Sequence, residues 1–385
     1  MGTVNLKFDD FSNFHKAFPT EKSCIKFLEK KRWPNGVVSP FDKDAKVYKR
    51  GDGMYRCGTT GKNFNVRVGT IFHGSKISLW KWFFAIYLIT SRKKGISAKQ
   101  LTRDISVTEK SAWLMLQKIR GTFAYDGDKL DGEIELDETF VGGKNAHRHS
   151  KTKMYRSRGR SHADKTAVMG MLQREGIVVC KVTGDTKAKS LTPHIKENID
   201  KSAMLYIDDW QGYNDIKKEY NHEVVDHGSG EYVKGNAYTN NIEGFWGTFC
   251  KRAFSGCYNM CSGAHMHRYF DEFAFRYNTR KVTDKERFEA FFDNIEYQTT
   301  YEEIKNEFKE RNRKRLARIH DKQKAKHKQQ QEEKKKESAK AKRQARNKRY
   351  QIKNKVELKA RRDAKKAAKQ AAAKAAQGQM SNTAT

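Results

Sequence analysis

The spacing of apolar and polar positions divides the chain into four stretches. Residues 1–75 show only brief alternation, and the Gly-rich run YKRGDGMYRCGTTGKNFNVRVGT predicts short β-hairpins. Three of the four prolines, at positions 19, 34 and 40, fall in this stretch. Residues 76–123 change to helical periodicity: apolar positions recur through LWKWFFAIYLIT, AKQLTRDI and SAWLMLQKI, with SVTE between the last two. A helix, a short turn with a polar N-cap and a second helix with a basic outer face predict a helix-turn-helix, although an ordinary αα-hairpin leaves the same pattern. Residues 130–297 predict a mixed α/β domain. GEIELDETFVGG, TAVMGMLQR and IVVCKVTG read as consecutive strands, a helix near 191–199 leads to a fourth strand, MLYIDD, and helices follow over 211–220, 240–254 and 265–280. Three strands, a helix and a strand is the order of a ribonuclease-H-like domain, an order that other α/β folds share.

From Glu302 the composition changes. Between Lys309 and Lys374 there are 28 Lys or Arg and 7 Asp or Glu, a net of +21 out of +33 for the whole chain. Residues 302–385 therefore predict a basic tail, a solvated helix or disordered arm that neutralises phosphates; a plain solubilising extension is the alternative. A pI near 9.8 points to a polyanionic partner, nucleic acid ahead of an anionic membrane surface. The most apolar stretch, Leu79 to Thr90, is too short to span a bilayer and contains Lys81. The N-terminus lacks a basic region followed by an apolar one, and Leu6 stands where a myristoylation signal needs Ser or Thr. Six cysteines are too sparse for a disulfide scaffold, so a reducing, intracellular location is expected: cytoplasmic and nucleoid-associated.

Phosphodiester chemistry on a polyanion needs carboxylates that hold divalent cations, so acidic residues within apolar strands are the informative ones. In GEIELDETF, Glu133, Glu135 and Asp137 share one strand face. A solvated edge face accounts for Glu133 and Glu135 more simply than for all three. Asp208 and Asp209 end the strand MLYIDD, where a carboxylate either points into a crevice or caps the next helix. In TNNIEGFWGTFCKRAF, Asn240, Glu243, Gly247 and Lys251 lie along one helix face, beside an apolar face of Ile242, Trp246, Phe249 and Ala253. Cys257, Cys261 and His265 have an i, i+4, i+8 spacing, but Gly256 and Gly263 interrupt the helix that would align them on zinc, and buried thiols are the simpler reading. The run HRHSKTKMYRSRGRSHADK, 147–165, reads as a basic loop over phosphates or merely a solvated one.

Between Asp137 and Asp208 lie 70 residues, and between Asp208 and Glu243 lie 34. With RWPNG, GTIFHGSKISLWKWFFAIYL, KKGISAKQL, KSAWLMLQKIR, ELDETFVGGK, EYVKGNAYTNNIEGFWGTFCKR and RYFDEFAFRYNTR in order, the chain from Phe18 to Arg280 resembles the DDE-class insertion-sequence transposases of the ISXO-like group, relatives of the Merlin elements. The resemblance implies a ribonuclease-H-like core, Mg²⁺ or Mn²⁺ on Asp137, Asp208 and a third ligand, cleavage at element ends and 3′-hydroxyl attack on target DNA. The group carries either Glu or Asn at the third position; Glu243 is preferred over Asn240 because a carboxylate suits a hard cation better than an amide. Lys251 would then grip a phosphate. Joining two ends implies a dimer or higher assembly on double-stranded DNA. A non-catalytic DNA-binding descendant and a nuclease without strand transfer remain alternatives. Relatives often open with a zinc ribbon of two C-x-x-C knuckles; here the places read Ser39-Pro-Phe-Asp42 and Cys57-Gly-Thr-Thr60, so a degenerate ribbon-like unit packed around Tyr55 and Phe64, without structural zinc, is expected.

Overall fold

A computed structural model describes residues 10–142, 165–225, 238–259 and 261–310, together with scattered positions between 313 and 371. The basic run 147–165, except for Lys165, and residues 231–237 lie outside the described residues.

The first helices arise where only hairpins were expected. Helices α1 (Phe11–Ala17) and α2 (Glu21–Arg32) start at side-chain caps, Asp10 and a Thr20/Ser23 capping box. Phe14 and Phe18, then Cys24 and Leu28, are four apart and wholly or almost wholly buried, a helical spacing hidden inside a stretch dominated by turn residues. The hairpins follow as β1 (Val47–Lys49), β2 (Tyr55–Cys57) and β3 (Asn63–Phe64), an antiparallel sheet in that order. Trp33, Tyr55 and Phe64 pack against its inner face with ring centroids 5.5–6.1 Å apart.

Helices α3 (Leu79–Ser91), α4 (Ala98–Ile105) and α5 (Glu109–Gly121) complete this half. Ten of the thirteen residues of α3 are buried, so it is the axis of the N-terminal core. The turn between α4 and α5 takes Ser106 into the left-handed region at φ 51°. Much of α5 is committed inside the protein: Lys118 donates to the Ile71 carbonyl and Arg120 bonds Glu272, while Lys110 lies over the Tyr301 ring. Helix α10, which closes later in the chain (Asp284–Phe291), inserts Phe288 and Phe291 into the same core as α3.

The second half is a mixed α/β layer structure, consistent with the ribonuclease-H-like expectation. Its strands β4 (Glu133–Val141), β5 (Thr166–Gln173), β6 (Val178–Thr183), β7 (Met204–Asp208) and β8 (Asn221–Val225) form a sheet in the order β6-β5-β4-β7-β8. The first three pair antiparallel; β7 and β8 run parallel to β4. Helix α6 (Ala188–Asn198) connects β6 to β7 and buries Leu191 and Ile195 against one sheet face. The expected helix over 211–220 is instead two 3₁₀ turns, Gln211–Tyr213 and Ile216–Lys218, followed by β8. Tyr213 and Ile216 are three apart and both buried, a spacing that one 3₁₀ turn satisfies as well as a longer helix.

The opposite sheet face is covered by residues 240–256 and by α9 (Met266–Asn278). The 240–256 stretch is α7 (Asn240–Phe245), a π-helical segment Trp246–Lys251, and α8 (Arg252–Gly256) without a break. Two layers are fastened by a buried ionic group: Arg120 of α5 bonds Glu272 of α9 at 2.7 Å, with Arg276 and the Tyr258 hydroxyl on the same carboxylate. Residues 1–309 form one compact unit and 310–385 a second. The expected tail thus begins too early at 302: residues 301–310 are helical, Ile304 is wholly buried and Arg268 reaches Glu307 at 2.9 Å. In the second unit, residues 357–371 form an exposed helix.

Candidate active site

Strand β4 sorts its side chains by alternation. Ile134, Leu136 and Glu138 face α6, whereas Glu133, Glu135 and Asp137 face the 240–256 helix, as the register with β5 requires. The solvated-edge explanation for this face fails at Glu135, which is wholly buried. Burial of a carboxylate is tolerable only with compensating donors, and Glu135 has four: Arg174 Nε at 3.0 Å, Asn241 Nδ2 at 2.9 Å, and the backbone N–H groups of Asn241 and Ile242 at 3.1 and 3.0 Å.

Asp137 sits half-buried between strand and helix. Its Oδ2 accepts the Trp246 indole N–H at 2.9 Å and its Oδ1 accepts the Glu138 backbone N–H at 2.8 Å. Burial raises its carboxyl to about 7, and the negative charges of Asp208 and Glu243 push in the same direction against those two hydrogen bonds. The three sequence-predicted acids therefore share one electrostatic neighbourhood although they are far apart in the chain. Asp208 ends β7 and accepts from the Trp210 N–H at 3.1 Å; Asp209 points to Lys217 at 3.3 Å instead and is exposed. Glu243 lies exposed on α7, with Asn240 one turn earlier. Among the described residues, no group of three or more His, Cys, Asp or Glu side chains is gathered closely enough to hold a metal ion.

Two neighbours went unnoticed in the sequence. Glu138 accepts the Tyr213 hydroxyl, and burial together with Asp137 and Asp208 raises its carboxyl to about 8. Gly170 stands directly opposite Asp137 in the β4–β5 ladder. A Cβ there would lie 2.5 Å from Trp246 Cζ2, so only glycine lets the indole lie on the sheet and reach Asp137. A lone Gly inside TAVMGMLQ is the signal that another element approaches closely.

The π segment begins immediately after α7. In an unbroken α-helix Lys251 would be turned about 80° from Glu243. A π turn takes about one residue more, which winds that difference back and returns exposed Lys251 toward the face that carries Glu243. Cys257, Cys261 and His265 do not share a helix: Cys257 ends α8 and bonds the Gly95 carbonyl, Cys261 contacts Met266 Sδ, and His265 closes a 3₁₀ turn near Glu307. In the N-terminal sheet, Cys57 is hydrogen-bonded to Ser39 and Thr60, and those contacts lower its thiol to about 7.

The chain is similar to known proteins of transposable elements. An "Uncharacterized protein in transposable element ISH50" of Halobacterium salinarum is 27% identical over 244 residues, covering 59% of this chain and 81% of that protein. Residues 129–278 match the family described as the ISXO2-like transposase domain, a span that includes Asp137, Asp208 and Glu243. In this span the chain is therefore similar to the ISXO2-like transposases.

Proposed function

We propose that the chain is a DDE-type transposase that cuts DNA at the ends of its element and joins them to a target, with Asp137, Asp208 and Glu243 as the ligands of two Mg²⁺ or Mn²⁺ ions. The observation that carries this reading is that Asp137, held by Trp246 and the Glu138 N–H, shares one electrostatic neighbourhood with Asp208 and Glu243: burial raises its carboxyl to about 7, and those two charges add to the rise. Like charge so placed is costly in itself and is relieved by a hard cation, for which an all-oxygen donor set is suited. When bound, the ions supply Lewis acidity to an attacking and a departing oxygen.

The remaining work falls to side chains. Trp246 and the Glu138 N–H hold the Asp137 carboxylate in one orientation. Glu138, raised to about 8, is placed to keep a proton beside Tyr213. Asn240 and Lys251 flank Glu243 and offer an amide and a point charge to phosphate oxygens. The outer face of the N-terminal sheet carries Lys46, Tyr48, Arg50 and Arg56, and a cavity of about 440 Å³ there is lined by Tyr48, Arg50, Arg56 and Gly58. These basic and aromatic groups suit a double-stranded DNA backbone, and α4–α5 adds exposed Lys99, Arg103 and Lys110. On this reading the protein works inside the cell on DNA, as a dimer or larger assembly. No described helix is long and apolar enough to cross a membrane.

The test is Mg²⁺-dependent nicking of supercoiled plasmid, followed by supply of pre-cleaved element ends with target DNA. Nicking that Asp137→Asn abolishes, with joined products, supports the reading. Binding without nicking points to a non-catalytic descendant, and hydrolysis without joining to a simple nuclease.

A further inference from the structure

We infer that Glu135 is a positioning residue for the third acid: it fastens the start of the 240–256 helix to the strand that carries Asp137, and so sets where Glu243 stands. The inference rests on the proposed cation role of Asp137, Asp208 and Glu243.

The first N–H groups of a helix have no partner within it and need acceptors from outside. The residue that would normally supply one, Thr239, makes no side-chain cap to α7. Glu135 supplies it from the neighbouring strand, taking the Asn241 and Ile242 amides on Oε2. A carboxylate at a helix start is also favoured by the helix dipole. Glu243 follows the second of these amides by a single residue, and Asp137 follows Glu135 by two along β4. One buried carboxylate is thus within two residues of both candidate ligands.

The fastening is itself held rigid. Oε1 of Glu135 takes Asn241 Nδ2 and Arg174 Nε. Arg174 is stacked between Tyr206 and Tyr238, each ring centroid 3.7 Å away. Its remaining nitrogens bond Glu133 at 3.2 Å and the Tyr238 carbonyl at 2.8 Å, and Tyr206 bonds Glu133 at 3.0 Å. The effect of this group on cation binding passes through the position of the helix.

The experiment compares wild type with Glu135→Gln, which keeps the shape but removes the charge and one acceptor. Mn²⁺ uptake is followed by the loss of the free-ion electron paramagnetic resonance signal. Hydrogen–deuterium exchange of peptides covering 240–246 is followed by mass spectrometry. Supports of metal ligands typically contribute 10–100-fold in affinity, so Glu135→Gln is expected to weaken Mn²⁺ uptake by about that factor and to speed exchange at 240–246. Phe14→Leu, a loss of packing in the N-terminal core, serves as the stability control and should leave Mn²⁺ uptake unchanged. Wild-type affinity or unchanged exchange in Glu135→Gln overturns the positioning role, as does an equal loss of affinity in Phe14→Leu. If Glu135→Gln does not fold, Asn241→Ala removes one donor from an exposed side chain and should weaken uptake by about 2- to 10-fold, the worth of one hydrogen bond; no change there overturns the role. Wild type that takes up no Mn²⁺ overturns the cation reading instead, and the exchange comparison still decides whether Glu135 holds the helix.

Discussion

Replacing Gly170 by alanine adds a single methyl group beneath the Trp246 ring. The new Cβ would lie 2.5 Å from Cζ2 and 2.6 Å from Cη2 of that ring, and 2.9 Å from Ile242 Cδ1. Ordinary carbon contacts are about 3.5–4.0 Å, so the indole must retreat by roughly 1 Å from a sheet strand that cannot move without disturbing its ladder. Overpacking of this kind costs about 1–3 kcal/mol. The same retreat stretches the 2.9 Å bond from Trp246 to Asp137 past hydrogen-bonding range. On the proposed mechanism, misplacing a ligand by about 1 Å lowers the nicking rate by about 10²-fold. Urea denaturation and plasmid nicking measure the two effects. Phenylalanine lacks both clashing ring atoms, so in a Trp246→Phe background Gly170→Ala should cost little further stability, a coupling of about 1 kcal/mol or more. A Gly170→Ala cost below about 0.5 kcal/mol, or an equal cost in both backgrounds, would refute the packing argument.

Glu272→Gln should destabilise the protein by about 3–5 kcal/mol in urea denaturation, because it leaves Arg120 and Arg276 buried without their shared carboxylate. Asp137 has a folded-state carboxyl raised to about 7, so the folded protein holds its proton more firmly than the unfolded chain; metal-free stability therefore falls as pH rises from about 4 to 7, and Asp137→Asn should lack that part of the slope. Chemical denaturation at several pH values checks this, and an identical slope in both proteins counts against the buried, crowded carboxyl. Truncation after Lys309 should leave thermal stability intact but flatten the salt dependence of DNA binding, whereas truncation after Glu302 should also lower the melting temperature by removing buried Ile304 and the Glu307 partner of Arg268. Equal melting temperatures for the two truncations would show that residues 303–309 do not belong to the compact unit.

Strand β4 was legible from its alternation of acidic and apolar residues, and β5 to β7 as short apolar runs bounded by turn residues. Asp137, Asp208 and Glu243 were legible as acids set among apolar neighbours, and in the structure the charges of Asp208 and Glu243 are felt at Asp137. What escaped was information held between elements. Glu135 looks like its neighbour Glu133 in sequence; only contact with Arg174 and the 240–256 helix distinguishes a buried clamp from a solvated charge. The π segment changes helical phase without any proline or glycine cluster to announce it, since Trp246 to Lys251 suits an α-helix equally well on propensity. The 211–220 region has helical spacing but tightens into 3₁₀ turns so that Tyr213 can reach Glu138. Helices α1 and α2 are short, and most of their stability comes from burial against α3 and α10, which local periodicity does not report.

The ionic knot of Arg120, Glu272, Arg276 and Tyr258 ties a helix from the first third of the chain to one from the last. Its members are useful only together, since each is an unpaired buried charge or hydroxyl without the rest. The two halves consequently do not behave as exchangeable cassettes. A chimaera that borrows the α3–α5 layer from one relative and the sheet layer from another will fold only if both sides of this lock come from matched parents, and recombination between such genes should be tolerated at other seams.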